Sequence, residues 1–169
     1  MFEPGFDQLG KYFTGMVAEL EASPIDHGFL GATAWSGTDR SSSNSVMNVM
    51  YFKDYSYVHN YAHGPFHREA WNWWNREMAH KKHFSIYHEL YQVPSGNWES
   101  IYANMAPTGL AATMHRVVLE NGKGEEWVYP IVDASRGLLK TSTGRMSRSD
   151  GKDHEKYNDY NPYTSAEKI

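Results

Sequence analysis

Histidine stands at positions 59, 63 and 67, every fourth residue. On an unbroken helix that spacing stacks three imidazoles on one side, as metal ligands would be arranged. Gly64 and Pro65 interrupt the helix, and no carboxylate at helical spacing completes a ligand set. Capping, helix-break and pocket-lining roles therefore outweigh a metal role, and no metal is expected. His88 is the foremost candidate for proton transfer, because it alternates with Ile86 and Leu90 on a mainly apolar face. Partial burial there lowers an imidazole pKa and keeps the ring neutral near pH 7, able to take or give a proton. Glu89 points to the opposite face. A core histidine bonded to a backbone carbonyl weighs equally against the catalytic reading.

Around these histidines, residues 61 to 104 concentrate Trp, Tyr and Asn. Aliphatic residues fill cores more readily, since a buried indole or phenol needs a partner for its polar edge. Trp71, Trp74 and Met78 follow three and four spacing and share a side of their helix, from which Trp73 falls away. A plain aromatic core explains such a stripe as well as a pocket does. Asn72, Asn75, Asn97 and Asn104 add neutral hydrogen-bonding groups, the mixture found in small-molecule sites. The substrate-binding candidates are Trp71, Trp74, Trp98, Tyr87, Tyr102, Asn104 and Met50.

The elements that must position these groups are legible in part. Apolar residues at Phe6, Leu9, Phe13, Met16 and Leu20 predict a helix ended by Ser23 and Pro24. Gly28–Trp35 and Ser45–Phe52 alternate as strands and predict a hairpin across the polar turn at 39–44. Asp54 caps a helix through Ala62, Gly64 stops it, and Pro65 opens a helix running to about Ala79. His83–Val93 alternates again as a third strand, closed by Pro94. Asn97–Asn104 reads as a helical turn, and Thr113–Leu119 and Glu126–Val132 as strands around an Asn-Gly-Lys-Gly turn. The order helix, strand, strand, helix, strand is that of a ferredoxin-like α+β unit lacking its first strand. Residues 1–140 are read as one domain and 141–169 as a polar tail, mobile over Asp150–Tyr160.

Composition removes several function classes. The 169 residues carry a formal charge of −4 and no basic stripe, so nucleic acid is not an expected partner. Without cysteine, thiolate catalysis, zinc-thiolate and iron-sulfur sites are excluded. No apolar run reaches the roughly 20 residues of a membrane span, and the N-terminus lacks a secretory pattern; a cytoplasmic protein is expected. Gly-x-Gly-x-x-Gly, Walker and Gly-x-Ser-x-Gly motifs are missing, which argues against nicotinamide, nucleotide triphosphate and serine-hydrolase chemistry. The Asp-Gly-Lys-Asp-His stretch from Asp150 lacks the ligand pattern of a calcium loop.

The chain resembles a fungal monooxygenase-like family, a domain of unknown function related to antibiotic-biosynthesis monooxygenases and found in fumagillin-type clusters. The resemblance rests on Gly28-Phe29-Leu30-Gly31, Tyr51-Phe52, Ala62-His63-Gly64-Pro65-Phe66-His67 with Trp71, Trp73 and Trp74, His88-Glu89-Leu90-Tyr91 with Pro94, and Asn97-Trp98-Glu99 with Ile101, Tyr102 and Asn104. It extends less sharply through Pro107-Thr108-Gly109 to Arg145 and Tyr157. It implies a dimeric α/β barrel, with ferredoxin-like units packed sheet to sheet and an apolar pocket in each, in fungal secondary metabolism. The members' usual N-terminal strand has no counterpart ahead of the first helix. His63, His67, His88 and Glu89 carry over as motif positions without assigned roles.

The leading reading is an enzyme that oxygenates a terpenoid or polyketide, with His88, His67, His63 and Glu89 as the catalytic candidates. The expected partners are a small apolar substrate and a second copy of the chain, with no nucleic acid and no membrane. No cofactor is expected; haem held by histidine is the minor exception. Without flavin the substrate itself must pass an electron to oxygen after His88 removes a proton from an enol or phenol. A redox-neutral cyclase of Diels-Alder type is the alternative, since holding the reacting ends together needs shape more than reactive groups. A carrier without catalysis ranks below these.

Overall fold

The three and four spacing from Phe6 forms helix α1, Phe6–Ala22, in the computed structural model of the chain. Its inner end is anchored by the buried Leu20. The structure describes residues 5–42, 45–77, 80–94, 96–118, 124–128, 130–131, 134–135 and 137–148. The stretch from Asp150 to Tyr160, read above as mobile, lies outside the described residues. The chain is α+β and divides into two units, Met1–Tyr91 and Gln92–Ile169.

In the first unit, strands β1 (Phe29–Ser36) and β2 (Val46–Phe52) form the expected antiparallel hairpin. Phe29 pairs with Phe52, their rings edge to face at 5.5 Å, and Ala32 pairs with Met50. The register slips between Phe29 and Gly31, and such a bulge increases local twist. Helix α2 (Tyr55–Ala62) starts at Asp54, whose side chain accepts from the Ser56 N–H at 2.8 Å. Helix α3 (Pro65–Glu77) follows the break at Gly64.

Helices α1 and α3 meet closely at Gly15. A Cβ there would lie 2.7 Å from Cζ of Phe66, so the missing side chain lets the ring approach the backbone. Tyr12 extends the seam, its ring 6.1 Å from Phe66 and 5.4 Å from Trp73, its hydroxyl donating to Glu69 at 3.2 Å. The inward stripe of α3 therefore contains Phe66, Ala70, Trp73 and Trp74. This corrects the expectation that Trp71 shares the buried side while Trp73 leaves it. Trp71 is one residue, about 100° of helix, beyond Ala70 and is 54% exposed, whereas Trp74 is buried.

A second correction concerns His83–Val93, which forms no strand. Ile86, Tyr87, Leu90, Tyr91 and Val93 are all exposed. Alternation assigns side chains to two faces but supplies no neighbour to complete the hydrogen-bond ladder. Among the described residues β1 and β2 pair only with each other.

The second unit contains a 3-10 turn at Gly109–Ala112, the antiparallel strands β3 (His115–Val118) and β4 (Glu125–Val128), a 3-10 turn at Gly137–Lys140, and helix α4 (Ser142–Arg148). Residues 97–104 do not form the expected helical turn. Asn104 instead takes a left-handed backbone at φ 53°, which an α-helical turn excludes. Arg145 of α4 donates to Glu99 at 2.6 Å and to the Leu139 carbonyl at 2.8 Å, tying residue 99 to the helix. Among the described residues no helix is long and apolar enough to cross a membrane.

Candidate functional site

Tyr57, Asn60 and Tyr61 occupy one face of α2, because residues three and four apart are neighbours on a helix. They line a cleft of about 250 Å³ together with Glu19, Asp26, His27, Gly64 and Pro65. The turn between α1 and β1 brings in Asp26 and His27. His27 N–H donates to Ser23 at 3.2 Å, Gly28 N–H to Ile25 at 3.2 Å and Phe29 N–H to Pro24 at 2.8 Å. Gly28 sits at φ +55° beneath Tyr57, and a Cβ on it would fall 2.4 Å from the phenol ring. That position needs glycine for both its backbone angle and its contact.

Tyr61 is the polar centre of the cleft wall. Its hydroxyl donates to Glu19 Oε2 at 2.8 Å and approaches the Met16 carbonyl at 3.1 Å. Burial, followed by the neighbouring Glu19 carboxylate, pushes the phenol far above its usual range and keeps it protonated. Its ring meets His27 edge to face at 5.4 Å and His67 at 6.1 Å.

His67, on the first turn of α3, is half-buried, and its Nδ1 is shut away from solvent with no hydrogen-bond partner of normal geometry. Desolvation holds its pKa below the ordinary imidazole value. The Ala62 carbonyl opposes that shift, while His88 and His63 add to it. The neutral ring is the result, a weak base poised in a low-dielectric setting. Two of the other catalytic candidates, His63 and His88, thus lie near enough to act on His67.

The other candidates have different surroundings. His63 is exposed and donates from Nδ1 to the His59 carbonyl at 2.8 Å, its ring 4.4 Å from that of His59. The expected interruption at Gly64 and Pro65 separates this pair on α2 from His67 on α3. His88 is exposed, as is Glu89, which accepts from the Tyr91 hydroxyl at 2.8 Å. Tyr87 and Trp71 are exposed, Met50 is half-buried on β2, and Trp74 is buried in the core. Beside Trp73 and Trp74 the crevice bounded by Glu77, Lys81 and Phe84 leaves no volume even for water. In the second unit Trp98 is half-buried, Tyr102 accepts from the Ala111 N–H at 3.0 Å, and Asn104 is exposed. Among the described residues no three His, Asp or Glu side chains converge as a metal ion requires.

Sequence reasoning missed Glu19, Asp26, His27, Tyr57, Asn60 and Tyr61 as a group. The repeat at 57, 60 and 61 was the available signal. Glu19 and Tyr61 are 42 residues apart, and nothing local in the chain announces their meeting.

Comparison with known proteins places the cleft and His67 inside a matched region. A family described as monooxygenase af470-like matches residues 2–110. The chain is 31% identical over 150 residues to the protein named Monooxygenase af470 of Aspergillus fumigatus (strain ATCC MYA-4609 / CBS 101355 / FGSC A1100 / Af293). That alignment covers 89% of this chain and 54% of the relative, so the chain spans about half the relative's length. No solved structure matches the chain.

Proposed function

The chain belongs to the monooxygenase af470-like family, and from that premise we propose that it is a monooxygenase-like enzyme of fungal secondary metabolism. Its substrate is an electron-rich enol or phenol on a polyketide or terpenoid frame, oxygenated beside the cleft of the first unit. The observation that carries this reading is His67, a half-buried imidazole held in its neutral form, whose ring lies 6.1 Å from that of Tyr61 in the cleft wall.

In this reaction His67 takes the proton from the substrate hydroxyl, and the resulting anion passes electrons to dioxygen. One oxygen atom enters the product and the other leaves as water, as when a phenol becomes a quinone. The substrate supplies every electron, so no outside reductant is consumed. A simple alkene has no acidic proton to lose and is not a substrate. His88 and His63 favour the neutral form of His67, which is the form that can accept a proton.

The two-stranded sheet of the first unit is smaller than an independently stable sheet. This supports the ferredoxin-like dimeric barrel, in which a second copy covers the hairpin. Exposure of Trp35, Val46 and Met47 at its far end supports the same arrangement.

Oxygen uptake with a panel of hydroxyarenes and enolisable 1,3-diketones tests the reaction, with isotopic oxygen tracing the atom transferred. Replacing His67 by Gln lowers kcat by about 100-fold or more, the usual worth of a positioned base. Conversion under strict anaerobiosis with no change in oxidation level would refute oxygenation and establish the cyclase alternative. Unchanged kcat in the variant would remove His67 from the reaction.

A further inference from the structure

The cleft walled by Tyr61, whose ring separates it from His67, is not the greasy hollow an apolar substrate alone would need. Two carboxylates line it, Glu19 and Asp26, while no lysine or arginine does. Among the described residues neither carboxylate is ion-paired, and Glu19 bonds only the neutral Tyr61 hydroxyl. The last turn of α1 carries Glu19 and Glu21 and no basic residue. A helix C-terminus has partial negative charge, so acids there are unfavourable unless a cation accompanies them. The last turn of this 17-residue helix therefore brings Glu19 to the cleft with no basic residue of its own beside it.

The remaining lining decides which cation. Tyr57, Tyr61 and His27 present aromatic rings, which attract cations through their faces. Asn60 offers a side-chain carbonyl, and Tyr61, whose proton is committed to Glu19, offers a lone pair. A bare metal ion is not served, because no three ligating groups converge among the described residues. About 250 Å³ corresponds to roughly eight waters' share of liquid volume, room for a ring or a short chain.

We infer that this cleft binds an organic ammonium group, with Glu19 and Asp26 supplying the opposing charge and the Tyr57, Tyr61 and His27 rings enclosing it. The inference concerns binding and goes beyond the oxygenation reading, which needs only a substrate hydroxyl and a base. Benzylamine, protonated at neutral pH, is the probe, with benzyl alcohol as its uncharged isostere.

Amide chemical shifts of the full chain are followed during titration with each compound, for the wild type, Glu19→Gln, Asp26→Asn and the double variant. Glu19→Gln keeps an acceptor for Tyr61, and the spectrum of each variant reports whether it is folded. Benzylamine is expected to give saturable shifts at Asp26, His27, Asn60 and Tyr61, with none from benzyl alcohol. Each single substitution weakens binding by about 3- to 5-fold, the worth of a partly exposed ion pair, and the double variant abolishes saturation. Equal binding of benzyl alcohol, undiminished affinity in the folded double variant, or no saturable shift at these residues would overturn the inference. Because the readout needs no turnover, its failure leaves oxygenation untouched, and failed oxygenation leaves ammonium binding standing.

Discussion

Gly28→Ala is the substitution whose cost follows most directly from the geometry of the cleft. The backbone at Gly28 is held from both sides, its N–H donating to Ile25 at 3.2 Å and its carbonyl accepting from Lys53 at 2.8 Å. It therefore cannot relax easily away from φ +55°. An L-residue in that conformation costs about 1 kcal/mol. The added methyl would also meet Tyr57 at 2.4, 2.5 and 2.6 Å, three ring carbons at once. Overpacking of that kind costs about 2 kcal/mol, so the variant is expected to lose about 3 kcal/mol in urea unfolding. The two causes separate in a double-mutant cycle. Tyr57→Ala removes the clash but leaves the backbone strain, so the pair should show a favourable coupling of about 2 kcal/mol. Additive effects, or a Gly28→Ala variant within about 0.5 kcal/mol of wild type, would refute the claim that the Tyr57 ring presses on this glycine.

For His67, burial keeps the folded pKa below the unfolded value of 6.5. Its stabilisation is complete above that value and is lost as pH falls through the depressed folded pKa, since the unfolded chain takes the proton first. His67→Gln should flatten the fall in urea midpoint between about pH 7 and pH 5. Trp74→Ala, at an 8% exposed position, should cost about 3–5 kcal/mol, whereas Trp71→Ala, at 54%, should stay within about 0.5 kcal/mol; thermal or urea melts of the two decide whether α3 is seated as described. Glu99, whose carboxyl the Arg145 hydrogen bond holds below its usual 4.5, stabilises the second unit above that pH and ceases to do so as pH falls. Glu99→Gln should lower the melting temperature at neutral pH and remove part of the acid sensitivity.

The α2–α3 break was legible because its determinants are local. Asp54 needs only the N–H two residues ahead, and Pro65 fixes its own φ while Gly64 tolerates the turn. Helix α4 was hidden for the converse reason. Ser142, Thr143 and Gly144 are poor helix formers, and what organises them is the Thr141 hydroxyl accepting the Gly144 N–H at 3.1 Å and Arg145 reaching Glu99 across 46 residues. The cleft depends on similar long reaches, between Glu19 and Tyr61 and between Gly28 and Tyr57. Composition showed a wealth of aromatic and histidine side chains without showing which would meet.

The choice of base illustrates how burial follows from pairing rather than pattern. His88 stands between Ile86 and Leu90, and its shielding depended on a ladder that would turn that face inward. Without the ladder both flanking residues are exposed, and His88 is exposed with them. His67 needed no such partner strand. It shares three and four spacing with Ala70 and Trp74, both buried on α3, so the helix that packs against α1 through Phe66 carries His67 inward as well. Its burial is a consequence of helix geometry plus one close contact at Gly15. Enlarging Gly15 should therefore displace Phe66, loosen the packing around His67 and move its pKa back toward the ordinary imidazole value, which titration of the His67 ring resonances would report directly.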